Sequence, residues 1–193
     1  MKKLIGFRSR TAVFISGRGS NLNNLIKFSK KNNSPISISS IISDNYKAKG
    51  LMYAKKNKIR YKIFLFKNKI KDENEILKYL NKNGISLICL AGFMRILSKK
   101  FIKKFEGKIL NIHPSLLPKY KGLNTHKKAI ANNEKFSGCT VHYVNDKIDS
   151  GKIILQKKVK IYKKDNPKRL AKRILEQEHL IYPKAIKKVI FSL

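Results

Sequence analysis

Short apolar runs alternate with stretches of helical periodicity along the first half of the chain. The runs are rich in residues that favour buried strands. They cover residues 11–15, 36–43, 59–66, 85–91 and 108–110. Apolar residues at helical spacing predict the intervening helices, which begin at Leu22 and continue with 47–57, 72–83 and a segment near 98–105. Alternation of this kind predicts a parallel sheet with helices on both faces.

The C-terminal part of the chain has a different pattern. A predicted helix over residues 125–133 precedes two runs of strand character, 137–144 and 152–161, joined by a short polar loop. Strands joined by so short a loop are expected to be antiparallel. Pro167 opens a last helix that continues toward Tyr182-Pro183. The predicted fold class is therefore α/β, with an open, mostly parallel sheet and an antiparallel C-terminal edge.

Length and composition predict one domain over residues 1–193, in which residues 1–10 form an N-terminal extension. Hydrophobic residues make up 42% of the 193, which is typical of a folded globular protein. Since no apolar run approaches the roughly 20 residues of a membrane span, and no signal peptide is recognisable, we expect a cytoplasmic protein. Cys89 and Cys139 have no metal-ligand spacing and are expected to be reduced core residues.

A formal net charge of +34 raises the question of nucleic-acid binding. The lysines, however, are spread along the whole chain and accompany many Asn and Ile residues, as in the products of AT-rich genomes. Compositional drift on solvated faces is therefore the preferred interpretation, and no specific nucleic-acid partner is expected. Such a charge would still attract small polyanionic substrates.

The first predicted strand passes into a glycine loop, residues 16–21, and then into a helix. Glycines let a backbone approach a ligand closely, and the first N–H groups of a helix attract anions. The loop lacks both the third glycine of a dinucleotide fingerprint and the Gly-Lys-Ser/Thr ending of a P-loop, so it suits a single phosphate better. An ordinary tight turn between strand and helix is the alternative.

The stretch Asn-Ile-His-Pro-Ser-Leu-Leu-Pro, residues 111–118, follows the fifth apolar run. On an extended backbone, Asn111 and His113 leave from the same side, which places an amide donor beside a proton carrier. Pro114 and Pro118 then force the strand to end. The end of a strand is where an open α/β sheet carries its chemistry, although a capped strand with a hydrogen-bonded loop histidine would explain the same residues.

Five segments in this order resemble the glycinamide ribonucleotide formyltransferases, folate-dependent enzymes of purine synthesis. They read ISGRGSNL (15–22), LAGFMRIL (90–97), NIHPSLLP (111–118), DSG (149–151) and QEH followed by YP (177–183). The resemblance covers residues 11–190 and implies a Rossmann-like twisted sheet. The departures are about eight extra N-terminal residues, a short C-terminal tail and Arg18 at a variable loop position.

The resemblance implies two small-molecule substrates, 5'-phosphoribosylglycinamide and 10-formyltetrahydrofolate, and no metal. Gly19, Ser20 and Asn21 would hold the ribonucleotide phosphate, and Glu178 would contact the glycinamide end. The folate would be bound by Lys69, Met94, Arg95, Ile96, Leu97 and Asn111. Residues 93–97 would also serve as ordinary core at this spacing. The chain is expected to be a monomer or a homodimer.

Catalysis would rest on Asn111, His113 and Asp149. When the substrate amine attacks the formyl carbon, the oxygen becomes anionic, and Asn111 with protonated His113 would stabilise it. Ionised Asp149 would raise the pKa of His113. The proton would reach the departing nitrogen through His113 or through water. The resemblance also predicts a cis bond between Leu117 and Pro118.

Two alternatives remain at this point. Methionyl-tRNA formyltransferases share part of the motif set and would suit the charge, but they resemble this chain only in an N-terminal half and carry a further domain. A basic α/β module that binds nucleic acid is the other alternative. Such a module would have no need of Asn111, His113 and Asp149 together.

Overall fold

The structure is a computed structural model that describes residues 8–191. These residues form seven strands and six helices. The strands are β1 (Ser9–Ile15), β2 (Ile36–Ser43), β3 (Tyr61–Ile63), β4 (Leu87–Leu90), β5 (Lys108–His113), β6 (Phe136–Tyr143) and β7 (Ile153–Lys160). The helices are α1 (Ser20–Ser29), α2 (Leu51–Lys56), α3 (Lys69–Lys82), α4 (Lys99–Lys104), α5 (Thr125–Ala131) and α6 (Pro167–Phe191).

The strands form one mixed sheet in the order β3-β2-β1-β4-β5-β6-β7, with the helices around it. β1 pairs in parallel with β2 and β4, and β2 pairs in parallel with β3. β6 is antiparallel to both β5 and β7. The predicted α/β class, with a mostly parallel sheet and an antiparallel C-terminal edge, is therefore confirmed.

Contacts along the chain divide into two compact units, residues 1–109 with 190–193 and residues 110–189. The first unit is built around β1, whose residues 12–15 are fully buried. This strand lies between β2 and β4, and helices cover parallel strands on both faces, so a continuous apolar run is what the position requires. The prediction of a single domain stays a prediction.

The second unit combines the antiparallel strands with α6. β5 and β6 are in a register that sets Asn111 opposite His142 and His113 opposite Thr140. Tyr182 of α6 is fully buried and donates its hydroxyl hydrogen to the Leu110 carbonyl at 3.1 Å. β7 is the last strand of the sheet formed by residues 8–191, next to β6, and it carries exposed lysines at 157, 158 and 160.

Several predicted boundaries were wrong by a few residues. The predicted strand over 59–66 is reduced to β3, which pairs only with residues 41–43 of β2, and Phe66 has a φ of 56° that ends extended structure. α3 begins at Lys69 rather than at Asp72, because the Asn68 side chain accepts a hydrogen bond from the Lys71 N–H and caps the helix.

The predicted N-terminal extension is also shorter than expected. Ser9 and Arg10 belong to β1, where they pair with Ile36 and Ser37 and where the Ser9 N–H donates to the Pro35 carbonyl at 2.8 Å. Residues 1–7 lie outside the described part of the chain. The predicted helix over 47–57 is confined to α2, since the chain before Gly50 forms turns.

Other local predictions are confirmed. The Leu117–Pro118 bond is cis. Cys89 and Cys139 are both buried, and neither belongs to a disulfide within residues 8–191. Among residues 8–191, no helix is long and apolar enough to cross a membrane.

Candidate active site

The predicted phosphate loop connects the end of β1 to the start of α1. Gly19 is the N-cap residue of α1 and has a φ of 74°, a left-handed conformation that favours glycine. The first N–H groups of a helix have no partner within the helix, and glycine offers no side chain to cap them. The loop therefore presents backbone donors at a helix start, as the sequence predicted.

Two glycines meet at this loop. A Cβ on Gly19 would lie 2.5 Å from the Gly50 Cα, and a Cβ on Gly50 would lie 2.7 Å from the Ile15 Cδ1 atom. The Gly50 N–H donates to the Gly17 carbonyl at 2.9 Å. The backbone at Gly50 thus braces the glycine loop, and neither Gly19 nor Gly50 has room for a side chain.

The segment after β4 is bonded to the same loop. The Ser16 N–H donates to the Gly92 carbonyl at 3.1 Å, and the Ser16 hydroxyl accepts from the Met94 N–H at 2.8 Å. Arg95 donates from its Nε to Asp44 Oδ2 at 2.7 Å. The first unit therefore joins the segment that carries Met94 and Arg95 to Ser16, the residue at which the glycine loop begins.

The predicted folate residues differ in exposure. Met94 and Ile96 are 60% and 58% exposed, whereas Leu97 is only 5% exposed and belongs to the core. Lys69 is exposed at the first position of α3, and within residues 8–191 its side chain makes no hydrogen bond or ion pair. The structure thus supplies an exposed apolar surface at Met94 and Ile96, but it does not bring Lys69 into contact with it.

The predicted catalytic residues meet in the second unit. Asp149 Oδ2 lies 3.3 Å from His113 Nδ1, and Asp149 Oδ1 accepts from Asn111 Nδ2 at 3.3 Å. The Gly122 N–H also donates to Asp149 Oδ2 at 2.9 Å. Asp149 has a φ of 46°, so the loop between β6 and β7 bends sharply to aim this carboxylate. The three residues form one hydrogen-bonded group.

The loop after His113 is fixed to the antiparallel strands. Thr140 of β6 accepts from the Leu117 N–H at 3.1 Å and donates to the Ser115 carbonyl at 2.6 Å. Gln156 of β7 donates to the Leu117 carbonyl at 2.8 Å. These bonds hold the end of β5, and therefore the backbone of His113, in place.

His142 is a fourth member of the group that the sequence did not assign. Its Nδ1 lies 2.8 Å from the Tyr143 carbonyl and must carry a proton, so in the neutral ring Nε2 is the acceptor. Asn111 Nδ2 lies 3.2 Å from that Nε2. The amide nitrogen of Asn111 therefore donates to both His142 and Asp149. His142 can be recognised as a member of the group only from the pairing of β5 with β6, which no local sequence motif reveals.

Burial lowers the pKa of His113, although the Tyr120 carbonyl and the charge of Asp149 act in the opposite direction. The sequence predicted that Asp149 would raise the pKa of His113, but burial lowers this pKa by more than Asp149 raises it. Burial would raise the pKa of Asp149, but contacts with His142 and the Gly122 N–H, together with the nearby histidine charges, lower it below the ordinary value. Asp149 is therefore ionised at neutral pH.

Glu178 is buried on α6, also in the second unit. Burial raises the pKa of Cys139 to about 12, and the charge of Glu178 adds to the shift. Cys139 is thus a protonated core thiol. Among the residues described, no three His, Cys, Asp or Glu side chains are grouped to hold a metal ion.

Comparisons with known proteins agree with this arrangement. Residues 9–186 match the family model described as formyl transferase. The chain is 45% identical over 181 residues to the phosphoribosylglycinamide formyltransferase of Haemophilus influenzae, covering 92% of this chain and 85% of that protein. It is 42% identical over 185 residues to the human trifunctional purine biosynthetic protein adenosine-3, covering 94% of this chain but only 18% of that longer protein.

A solved structure extends the comparison. The crystal structure of phosphoribosylglycinamide formyltransferase from Brucella melitensis superposes with a TM-score of 0.90 at 42% sequence identity, covering 95% of this chain and 96% of that one. The family model and the relatives both span nearly the whole chain, including every segment that carried the resemblance. The chain therefore belongs to the formyl transferase family.

Proposed function

We propose that this chain transfers the formyl group of 10-formyltetrahydrofolate to the amine of 5'-phosphoribosylglycinamide, giving the N-formyl product in de novo purine biosynthesis. The relatives in Haemophilus influenzae and Brucella melitensis carry the name of this activity. The observation that carries the proposal is the group of Asn111, His113 and Asp149, in which one carboxylate contacts both an amide and an imidazole.

The reaction requires oxyanion stabilisation and one proton transfer. A bond forms between the substrate amine and the formyl carbon, the bond from that carbon to the folate nitrogen breaks, and one proton moves from the amine to the departing nitrogen. The formyl oxygen carries negative charge on the way. Donors already fixed in a partly desolvated site stabilise such charge far better than mobile water does.

We assign the proton carrier to His113. Its Nε2 lies 2.9 Å from the Tyr120 carbonyl and its Nδ1 faces Asp149, so the protonated ring has an acceptor for each nitrogen. Burial lowers its pKa, which makes the imidazolium a better acid toward the departing nitrogen. Since Asp149 already contacts Nδ1, the reacting substrate must contact Nε2. There the substrate replaces the Tyr120 carbonyl as the hydrogen-bond partner.

Asn111 is the second donor in the proposal. Its amide nitrogen donates to Asp149 and to His142, which fixes the orientation of the amide plane. One of these hydrogens must turn to the formyl oxygen as charge develops. The hydrogen that faces His142 is the one shared with the formyl oxygen, so that His142 continues to orient the amide while the Asp149 contact keeps the carboxylate facing His113.

The first unit provides surfaces that suit the two substrates. The helix start at Gly19, Ser20 and Asn21 suits the phosphate of the ribonucleotide. Exposed Met94 and Ile96 suit a flat ring system, and Arg95 between them, already paired with Asp44, is proposed as a folate contact on the family resemblance. We propose Lys69 as a further folate contact and Glu178 as the contact for the glycinamide end, both on the family resemblance alone.

The proposal extends to partners and compartment. We propose a cytoplasmic enzyme, monomeric or homodimeric, that uses small-molecule substrates and has no specific nucleic-acid partner. A methionyl-tRNA formyltransferase activity is disfavoured, since the relatives in Haemophilus influenzae and Brucella melitensis are named for a glycinamide substrate and match nearly the whole chain. The rival binding-module interpretation gives no reason for Asp149 to contact both Asn111 and His113.

A formyl-transfer assay with purified protein tests the proposal directly. Product should form with 5'-phosphoribosylglycinamide and 10-formyltetrahydrofolate, and methionyl-tRNA should not replace the ribonucleotide. His113→Asn should reduce turnover by about a hundredfold or more, the usual contribution of a positioned acid–base group. Formylation of methionyl-tRNA, or no turnover with the ribonucleotide by the folded protein, would overturn it.

A further inference from the structure

Three neighbouring strands of the first unit end at one hydrogen-bonded junction. β1 pairs in parallel with both β2 and β4, so the carboxyl ends of the three strands lie at the same edge of the sheet. The strand-end junction consists of Ser16 after β1, Asn45 after β2, and Gly92 and Met94 after β4. Ser16 is its centre, because each of the other three residues is hydrogen-bonded to it.

Ser16 uses a different polar group for each of these bonds. Its N–H donates to the Gly92 carbonyl at 3.1 Å, and its carbonyl accepts from Asn45 Nδ2 at 3.3 Å. Its hydroxyl accepts from the Met94 N–H at 2.8 Å. The Met94 N–H is therefore held by a side chain and not by the backbone of β1, so a single substitution can remove its acceptor.

A turn after β4 brings Met94 to this hydroxyl. The Ala91 N–H still donates to the Phe14 carbonyl at 2.9 Å, as in the parallel pairing of the two strands. Gly92 then has a φ of 74°, a left-handed conformation that favours glycine and ends the extended backbone. Beyond this turn, the Ser16 hydroxyl is the acceptor that a backbone carbonyl would be within the sheet.

The two sides of this hydrogen bond carry the two proposed substrates. In the proposed function, the glycine loop that begins at Ser16 holds the ribonucleotide, while Met94 and Ile96 hold the folate. The amine of one substrate must reach the formyl carbon of the other, and a misplacement of about 1 Å can reduce a rate about a hundredfold. The spacing of the two surfaces therefore matters to the rate, and the bond from Met94 to Ser16 fixes it.

We propose that Ser16 is a positioning residue, whose hydroxyl fixes the Met94 segment to the glycine loop and thereby aligns the two substrates. This role rests on the proposed function, because it concerns the meeting of those substrates. Ser16 is half-buried and Met94 is exposed, so water can replace a lost hydroxyl at the Met94 N–H and the fold should stay stable. The loss should therefore affect alignment more than folding.

The kinetics of Ser16→Ala test this role, since the change removes the acceptor of the Met94 N–H and leaves the backbone bonds of Ser16 in place. The turnover number should fall about tenfold, while the Michaelis constants for both substrates stay within about twofold of the wild-type values. The shape of the pH profile should not change, because a serine hydroxyl does not titrate near neutral pH. Ser16→Thr retains a hydroxyl and should recover most of the turnover.

Hydrogen exchange of the Met94 amide, followed by NMR on the full-length protein, measures the bond itself. Exchange should be about tenfold faster in Ser16→Ala, because the amide is released to water. In Ser16→Thr it should stay near the wild-type rate. This measurement needs no substrate, so it separates the loss of the hydrogen bond from any effect on catalysis.

Ser9→Ala is the matched control, because it makes the same chemical change at the opposite end of β1. The Ser9 hydroxyl is hydrogen-bonded at 2.8 Å to the hydroxyl of Ser86, the residue before β4. This bond joins the same two strands at the same length as the bond from Met94 to Ser16. Ser9→Ala should leave both the turnover number and the exchange of the Met94 amide unchanged.

The role of Ser16 is overturned if Ser16→Ala has a normal turnover number or a normal Met94 exchange rate, or if Ser9→Ala loses as much turnover. Higher Michaelis constants without a lower turnover number would also overturn it, since binding and not alignment would then be affected. So would low turnover in Ser16→Thr despite normal Met94 exchange. Absence of formyl transfer by the wild-type protein would instead defeat the proposed function, and the role of Ser16 with it.

Discussion

At the residue scale, opposing influences on the pKa of His113 determine what its imidazole can do. Burial lowers the pKa of His113, while the Asp149 carboxylate and the Tyr120 carbonyl raise it. A histidine held only by its carboxylate would stay protonated, and one that is only buried would stay neutral. Burial outweighs the two opposing contacts, so the pKa of His113 lies below its ordinary value, and the neutral ring that prevails at pH 7 can accept a proton and pass it on.

Replacing Asp149 by Asn tests this balance. The amide keeps the size but removes the charge that favours the imidazolium, so the pKa of His113 should fall further below its ordinary value. Turnover should fall by about a hundredfold or more, and the alkaline limb of its pH profile should move to lower pH. Steady-state kinetics across pH, together with an NMR titration of His113, provide the measurement.

Asp146→Asn is the control for this experiment, because it makes the same chemical change in the same loop at an exposed position. It should leave both the turnover number and the His113 titration unchanged. Near-normal turnover in Asp149→Asn would mean that Asp149 has only a structural role.

His142 should act by positioning Asn111. His142→Phe removes the acceptor 3.2 Å from Asn111 Nδ2, so the amide loses one of its two fixed contacts. We expect turnover to fall about tenfold, corresponding to one hydrogen bond, with little change in the Michaelis constant for either substrate. His142→Gln, which retains an acceptor, should recover part of the loss. Equal losses in both variants, or a rise in the Michaelis constants alone, would rule out this role.

At the scale of elements, the close contact between Gly19 and Gly50 determines how α2 packs against the glycine loop. Gly19→Ala would combine a left-handed φ with a Cβ that lies 2.5 Å from the Gly50 Cα. We expect it to reduce the free energy of unfolding by roughly 2–3 kcal/mol, through backbone strain and overpacking together. Urea denaturation provides the measurement.

Gly17→Ala is the matched change, since a Cβ there meets nothing within 4 Å and its φ is not left-handed. Its effect on unfolding should stay within about 0.5 kcal/mol. For the folded fraction of Gly19→Ala, the Michaelis constant for the ribonucleotide should rise while that for the folate stays near normal. Equal stability of the two variants would contradict the packing argument, and an equal rise in both constants would contradict the phosphate assignment.

The elements also indicate what a sequence can and cannot predict. The observed bounds of β2 agree with the predicted ones, because four β-branched isoleucines among its eight residues favour a strand. The shortness of β3 was not foreseen, because it depends on how far β2 extends beside it. The role of His142 was missed for a related reason, since only the register of β5 against β6 sets it opposite Asn111.

On the whole-molecule scale, the charge of +34 should influence rates more than structure. If it steers anionic substrates without forming a specific site for polymers, the ratio kcat/KM should fall a few-fold as salt shortens the Debye length from about 10 Å to about 3 Å. Duplex DNA should bind weakly and without sequence preference. Tight, sequence-selective DNA binding at physiological salt would favour the rival class of nucleic-acid-binding protein.

The two edge strands of the sheet, β3 and β7, limit how two copies of this chain can associate. An exposed strand edge is a template on which another chain can add a strand, and short strands and lysines are common means of preventing this. β3 has only three residues, and β7 carries exposed lysines at 157, 158 and 160. Continuous sheet growth between molecules is therefore disfavoured at both ends, and a homodimer of this chain would have to use helix or loop surfaces instead.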